Sequence, residues 1–349
     1  MFKESPPESI CVVRLSHIGD TCHALAVVRA IQDTWPETRL TWIIGKTEAS
    51  LMADIPGVEF IIFDKARGRA AYQHVGAKLA SESFDVALCM HASMRVNRIY
   101  RMINAPVKLG FDWKRARDLQ WLFTNERIEA SGRQHVLDGM MSFARHIGVP
   151  KKALRWDIPL TDSHRAIAQK TIGDQPALII SPCSTQRTRN FRNWSIENYA
   201  AAAKHARNRF GCTIVLTGGP TPLEKKYGSG IAELCGPDTV NLVGKTSLKE
   251  LLALLEAGGA LLCPDSGPAH MATTVGTPVI GLYATSNPAR TGPYLSQNFV
   301  VNAYAEAAGR FLGKTPDQLR FGQRIRDPRA MDLIRLRDVN SKIDQIFGK

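Results

Sequence analysis

The sequence predicts an α/β protein built from two doubly wound halves, on three observations. Its 349 residues are enough for two domains of ordinary size. Short, nearly continuous apolar runs alternate with helical stretches in two separate series, as parallel strands buried on both faces do. A polar, proline-containing stretch divides the two series.

The first series has β-type runs at residues 10–15, 40–44, 60–63, 86–89 and 107–109, with helical stretches between them. Residues 150–174 read as a linker region carrying one short helix at 164–171. The second series runs through "ALIIS", "TIVLTGG", "TVNLV", "GALLCPD" and "TPVIGLY", separated by helices near 196–210, 223–235 and 248–257. Each strand–helix–strand step is expected to be a right-handed crossover. The halves are placed at 1–160 and 161–325, facing each other across a cleft. In the tail, Leu333, Ile334, Leu336, Val339, Ile343 and Ile346 have helical spacing, so residues 326–349 read as a closing helix that packs back toward the first half.

Composition bounds the function. Hydrophobic content of 44% and charged content of 22% are those of a soluble globular chain. No apolar run is long enough to span a bilayer, and "MFKESPPESI" lacks the apolar core of a secretory signal. The seven cysteines are scattered, mostly within apolar runs, without any C-x-x-C, as expected of buried thiols in a reducing cytoplasm. Net charge is +13, and between Lys65 and Arg117 eleven Lys/Arg face only three acids, Glu82, Asp85 and Asp112. Such a field attracts anionic partners: nucleic acid, a membrane surface or a phosphorylated substrate. A plain solvated basic face is the simpler reading.

In open α/β sheets, ligands bind beyond the carboxyl ends of the strands. The loops there hold the unusual residues. "RLSHIGD" sets His17, Gly19 and Asp20 where a strand passes into a helix. "PCSTQRTRNFRNW" offers the hydroxyls of Ser184 and Thr185, then Arg187, Arg189 and Arg192. Hydroxyls followed by guanidinium groups suit a diphosphate; an exposed basic loop is the alternative. "LTGGPTPLE" has Gly218 and Gly219 at a sharp turn and Glu224 in the next helix, where it either meets ribose hydroxyls or complements the helix dipole. "CPDSGPAH" opens a helix at Asp265, Ser266 and Gly267, with His270 further along. Backbone N–H groups at such a start hold phosphate oxygens well, and N-capping by Asp or Ser competes as an explanation. The G-x-G-x-x-G, P-loop, H-E-x-x-H and G-x-S-x-G templates are all absent, and the nine histidines show no metal spacing.

Taken together, these motifs resemble a known family. "RLSHIGDTCHA" is similar to the opening motif of the ADP-heptose:lipopolysaccharide heptosyltransferases, glycosyltransferase family 9, and "PDSGPAHMATTVGTPVIGLYATSNPARTGPY" to their nucleotide-sugar motif. "HASMRVNRIY", "LGFDWKRARD" and the Arg192-Asn193-Trp194 step match in kind and order, so the resemblance spans residues 10–294. It implies a GT-B fold, two Rossmann-like domains across a cleft, and inverting, metal-independent transfer of heptose from ADP-heptose to the lipopolysaccharide inner core, without a cofactor. Carried across, Asp20 is the general base and Arg192, with Ser184 and Thr185, holds the diphosphate. Glu224 meets the adenosine ribose, beside Gly218 and Gly219. Asp265, Ser266, Gly267 and His270 fall at the heptose and phosphate end. Arg95 and Arg117 lie on the acceptor side, with His17, Gly19, Lys65, Arg67 and Arg69.

Two departures stand out. Relatives often carry lysine where this chain has Arg192, and the loop 186–191 looks longer, which lets Arg187 or Arg189 take that task. The expected partners are the ADP-heptose donor, the anionic core acceptor and the cytoplasmic face of the inner membrane, touched peripherally; no nucleic acid is expected. Another donor or acceptor within the family, a nucleotide-sugar epimerase on the same fold, and a nucleic-acid-binding protein are the competing readings.

Overall fold

The computed structural model describes residues 1–2, 5–151, 153–184 and 190–348. The chain divides into two units, Met1–Pro159 and Leu160–Lys349.

In the first unit the order is β1 (Ser9–Val13), α1 (Ile18–Thr34), β2 (Arg39–Gly45), α2 (Lys46–Met52), β3 (Val58–Phe63), α3 (Arg69–Leu79), β4 (Val86–Leu88), α4 (Met94–Tyr100), β5 (Val107–Gly110), β6 (Glu126–Arg127) and α5 (Val136–Ile147). All strands are parallel, in the spatial order β3-β2-β1-β4-β5-β6. Every residue of β1 is buried, which explains its unbroken apolar run. Cys11 and Val13 pack into one cluster with Val75 and Leu79 of α3 and Val96 and Ile99 of α4. Ile10 and Val12 are equally buried, and successive strand residues point to opposite faces of a sheet.

The second unit continues with α6 (Asp162–Ile172), β7 (Ala177–Ile180), α7 (Ile196–Phe210), β8 (Thr213–Leu216), α8 (Pro222–Cys235), β9 (Thr239–Asn241), α9 (Leu248–Ala257), β10 (Ala260–Pro264), α10 (Gly267–Thr274), β11 (Val279–Tyr283), α11 (Pro288–Thr291), β12 (Val301–Asn302), α12 (Tyr304–Leu312) and α13 (Leu336–Phe347). Its sheet is also parallel, ordered β12-β11-β10-β7-β8-β9. Counted within each unit, both sheets have the doubly wound order 3-2-1-4-5-6.

Local chemistry sets several boundaries. The Ser195 hydroxyl accepts from the Asn198 amide (3.1 Å) and starts α7, and Gly211 ends it in the left-handed region at φ 66°. Such an N-cap contributes about 1 kcal/mol. A reciprocal Ser247–Glu250 capping box opens α9. The buried Trp194 indole donates to Ile334 O (3.2 Å). Val339 and Ile343 of α13 are buried in the second unit's core, so the tail is anchored on its own unit. The two-residue edge strands β6 and β12 do not figure among the expected strands, because runs so short carry no periodicity. The seven cysteines are buried and unbridged.

Candidate active site

In the first unit the sheet order reverses between β1 and β4, and such a reversal opens the ligand-binding crevice at the strands' carboxyl ends. Asp20 follows β1 there. It occupies the first turn of α1, whose N-cap residue, His17, makes no side-chain cap. The Asp20 carboxylate is ion-paired with Arg14, the residue after β1. Arg14 crosses to β4 as well, donating Nη1 to Met90 O (2.7 Å). Its side chain is 10% exposed and that of Asp20 28%, so the carboxylate keeps solvent access while its partner is embedded. Asp20 therefore lies in the first turn of α1, after the N-cap residue, and is bonded to Arg14.

His91 completes this crossing. It lies just after β4, and its Nδ1 accepts from Leu15 N (3.3 Å). The Tyr100 hydroxyl donates to His91 O (2.7 Å). Burial, reinforced by the neighbouring Arg14 guanidinium, pushes the His91 imidazole down to about 3, so it stays neutral. Glu48 of α2 is a further acid at this end of the sheet, and it is buried. Its carboxyl lies so close to Gly45 that a Cβ there would come within 2.5 Å of Oε2. Burial raises its pKa, while Lys65, Arg14 and Arg95 pull the other way. Lys65 and Arg95 thus act on the same group of charges as Arg14. Neither Glu48 nor His91 was singled out in the sequence. The rule of looking beyond strand ends would have found His91; a lone Glu on a seven-residue helix carries no local signal.

The remaining acceptor-side residues are more scattered. His17 is exposed and Gly19 buried at the start of α1. Lys65 and Arg67 are exposed on a short 3-10 turn, Lys65–Arg67, and Arg69 at the start of α3. Arg95 is exposed on α4, and Arg117 in the loop after β5. Arg69 and Arg117 join none of the hydrogen bonds described above.

The second unit repeats the design with different chemistry. Its order reverses between β7 and β10. Ser184 follows β7, and Asp265 and Ser266 follow β10. Arg192 links the two sides: Nη1 donates to Asp265 O (2.8 Å) and Oδ2 (3.3 Å), and Nε to Asn190 Oδ1 (2.8 Å). Asn190 Nδ2 donates to Ser184 Oγ (2.7 Å), and Ser184 N donates to Asn193 Oδ1 (2.9 Å). Asn190 and Asn193 are therefore scaffold residues that the arginine-centred reading of this loop overlooked. Ser266 occupies the N-cap position of α10 without a side-chain cap, Gly267 begins the helix, and His270 is buried one turn on. Thr185 and Arg187, and Arg189 with them, lie outside the described residues.

At the neighbouring strand end, Glu224 Oε1 accepts from Gly219 N (2.7 Å) and Oε2 from Thr221 Oγ (2.5 Å). Thr221 caps α8 in return. A Cβ on Gly219 would meet Glu224 Oε2 at 2.9 Å, whereas one on Gly218 would have 3.5 Å. A side chain at 219 would thus displace the Glu224 carboxylate from its present bonds, whereas 218 has room for one. The helix-complementing role weighed for Glu224 is realised, with both oxygens anchored in the glycine turn. No group of three or more His, Cys, Asp or Glu side chains that could hold a metal ion occurs among the described residues.

The chain is similar to known proteins over nearly its whole length. Residues 73–315 match glycosyltransferase family 9 (heptosyltransferase). The chain is 39% identical to the lipopolysaccharide core heptosyltransferase OpsX of Haemophilus influenzae over 347 residues, 99% of each chain. It is 24% identical to lipopolysaccharide heptosyltransferase 1 of Escherichia coli K12, covering 85% of this chain and 94% of that one. Among solved structures, a family 9 glycosyltransferase from Veillonella parvula aligns with TM-score 0.78 at 21% identity, covering 99% of this chain and 98% of that one. The E. coli heptosyltransferase WaaC with ADP aligns at 0.74 and 19% identity, covering 97% and 99%. With two doubly wound units and a family match across both, the chain is an enzyme of the GT-B fold and belongs to glycosyltransferase family 9, the heptosyltransferases.

Proposed function

We propose that this enzyme transfers heptose from ADP-heptose to an anionic lipopolysaccharide inner-core acceptor, with inversion and without a metal ion, at the cytoplasmic face of the inner membrane. The transfer of heptose to a lipopolysaccharide core draws support from the relative named as a lipopolysaccharide core heptosyltransferase, and the ADP-linked donor from the E. coli heptosyltransferase solved with ADP. The observation that carries the chemistry is the carboxylate of Asp20, held by Arg14 at the strand-order reversal in the first turn of α1.

In this reading the acceptor hydroxyl attacks the anomeric carbon as ADP leaves from the opposite face, and Asp20 takes the hydroxyl proton. A carboxylate is a weak base for an alcohol. The alcohol becomes acidic only as the new bond forms, so late proton transfer suits it, and this is worth about 10²–10⁴-fold. Arg192, the Ser184 hydroxyl and the amides at Ser266 and Gly267 receive the departing diphosphate. Asn190 and Asp265 hold Arg192 in place for that task. Glu224 fixes the turn against which the nucleoside packs. The basic residues Lys65, Arg67, Arg69, Arg95 and Arg117 favour an acceptor rich in phosphate and acidic sugar.

Titration calorimetry with ADP-heptose, ADP, UDP and UDP-sugars tests the donor, and transfer in excess chelator tests the metal requirement. A preference for ADP compounds with transfer intact in chelator is expected. A preference for UDP, or loss of transfer on chelation, overturns the corresponding half of the proposal.

A further inference from the structure

We propose that the loop after β5, residues 111–123, together with the first turn of α4, is a docking surface for a bilayer containing anionic lipid. Five of the eleven large apolar side chains exposed among the described residues lie here: Met94, Trp113, Leu119, Trp121 and Leu122. Trp113 is 64% exposed and Leu122 59%. Concentrated exposure of this kind marks an interaction surface, whereas scattered apolar residues need no explanation.

The loop is firmly built, so the exposure does not come from loose packing. Its buried members are polar, Asp112 and Gln120: Gln120, 1% exposed, donates Nε2 to Cys89 O (2.7 Å) at the end of the sheet and accepts from Phe111 N (3.3 Å). Its neighbours Leu119, Trp121 and Leu122 consequently point to solvent. This is the reverse of the polar-out pattern of a soluble surface. Asp118 ties the loop to α4, accepting from Met94 N (3.2 Å) through its carboxylate and from Asn97 Nδ2 (2.6 Å) through its carbonyl, which brings Met94 beside the loop. The Trp113 and Trp121 rings stand 5.8 Å apart.

The charge around these residues identifies the occupant. Arg127 lies over the Trp113 ring at 4.1 Å, Arg101 over Phe123 at 4.9 Å, and Lys114 is exposed next to Trp113. Tryptophans and leucines rimmed by cations match the interfacial zone of an anionic bilayer, where indoles sit among headgroups and basic side chains meet phosphate. Each basic residue near such a surface strengthens binding roughly five-fold. That docking serves a lipid-borne acceptor rests on the function proposed above; the docking itself does not.

The test is co-sedimentation of the full chain with vesicles of phosphatidylglycerol and phosphatidylethanolamine, against vesicles of phosphatidylcholine alone. The wild-type chain is expected to sediment with the anionic vesicles only. Trp121→Ser combined with Leu122→Ser should weaken that binding about ten-fold or more, and Lys114→Glu at least roughly five-fold. Transfer to a deacylated, water-soluble acceptor should be unchanged in both variants. If the double variant misfolds, Lys114→Glu carries the test. The proposal is overturned if wild type binds neither vesicle type or both alike, if the variants bind as wild type does, or if they lose transfer to the soluble acceptor. Vesicle binding that depends on these residues in a chain with no transferase activity upholds the docking surface and removes the function instead.

Discussion

The two units share one strand order and differ in what they place at its reversal. In the first unit that point collects ionisable groups: Asp20 on Arg14, with the neutral His91 and the buried Glu48 nearby. In the second it collects a single ion pair, Arg192 with Asp265, cross-braced by the amide side chains of Asn190 and Asn193, beside the first turn of α10. In the proposed mechanism one scaffold would serve proton transfer in one copy and anion binding in the other. Chemistry is set by the few residues after each strand, and the sheet supplies only their position.

The sharpest way to break this division of labour is Asp20→Asn. It is expected to slow transfer by about 10²–10⁴-fold while calorimetric affinity for ADP stays within about two-fold of wild type. Near-normal turnover would remove Asp20 from proton transfer. Arg192→Ala should cost about 10²–10³-fold in kcat, as removing one donor to developing negative charge does, with Arg192→Lys recovering part of it. Equal loss in both would mean that the planar, two-pronged grip matters more than charge.

A smaller effect concerns stability in acid. The folded chain holds His91 at about 3, against the ordinary 6.5. Between those values the unfolded chain takes up a proton that the folded chain refuses. The stability contributed by neutral His91 is therefore complete above about pH 6.5 and is lost progressively as pH falls toward 3. His91→Asn, which keeps an acceptor for Leu15 N but does not titrate, should flatten denaturant midpoints across that range; an unchanged slope would place the acid sensitivity elsewhere. The smallest effect is expected for Glu224→Gln, which keeps one acceptor for Gly219 N. It should lower stability by about 1 kcal/mol and raise the donor KM with kcat preserved.

Much of the fold was legible because the helices announce their own ends. The expected helices 196–210 and 248–257 coincide with α7 and α9, where Ser195 and Ser247 supply caps and glycines follow. The placement of Asp20, Arg192 and Asp265 beyond strand ends was legible in unusual local strings. The site was not legible where tertiary burial creates the property. Glu48 is an ordinary helix residue until the packing around Gly45 encloses it, and His91 becomes an obligate acceptor only when β4 lies beside β1. Asn190 and Asn193 were overshadowed by the arginines around them, since an amide's bracing role depends on partners that only the folded loop brings within reach.

Those two amides also make the guanidinium dependent on its neighbours. Asn190 is bonded to Ser184 through its nitrogen and to Arg192 through its oxygen, while Asn193 holds the Ser184 amide. A change at either amide is therefore transmitted to Arg192 at second hand, and the serine after β7 and the arginine cannot be altered independently of the side chains strung between them.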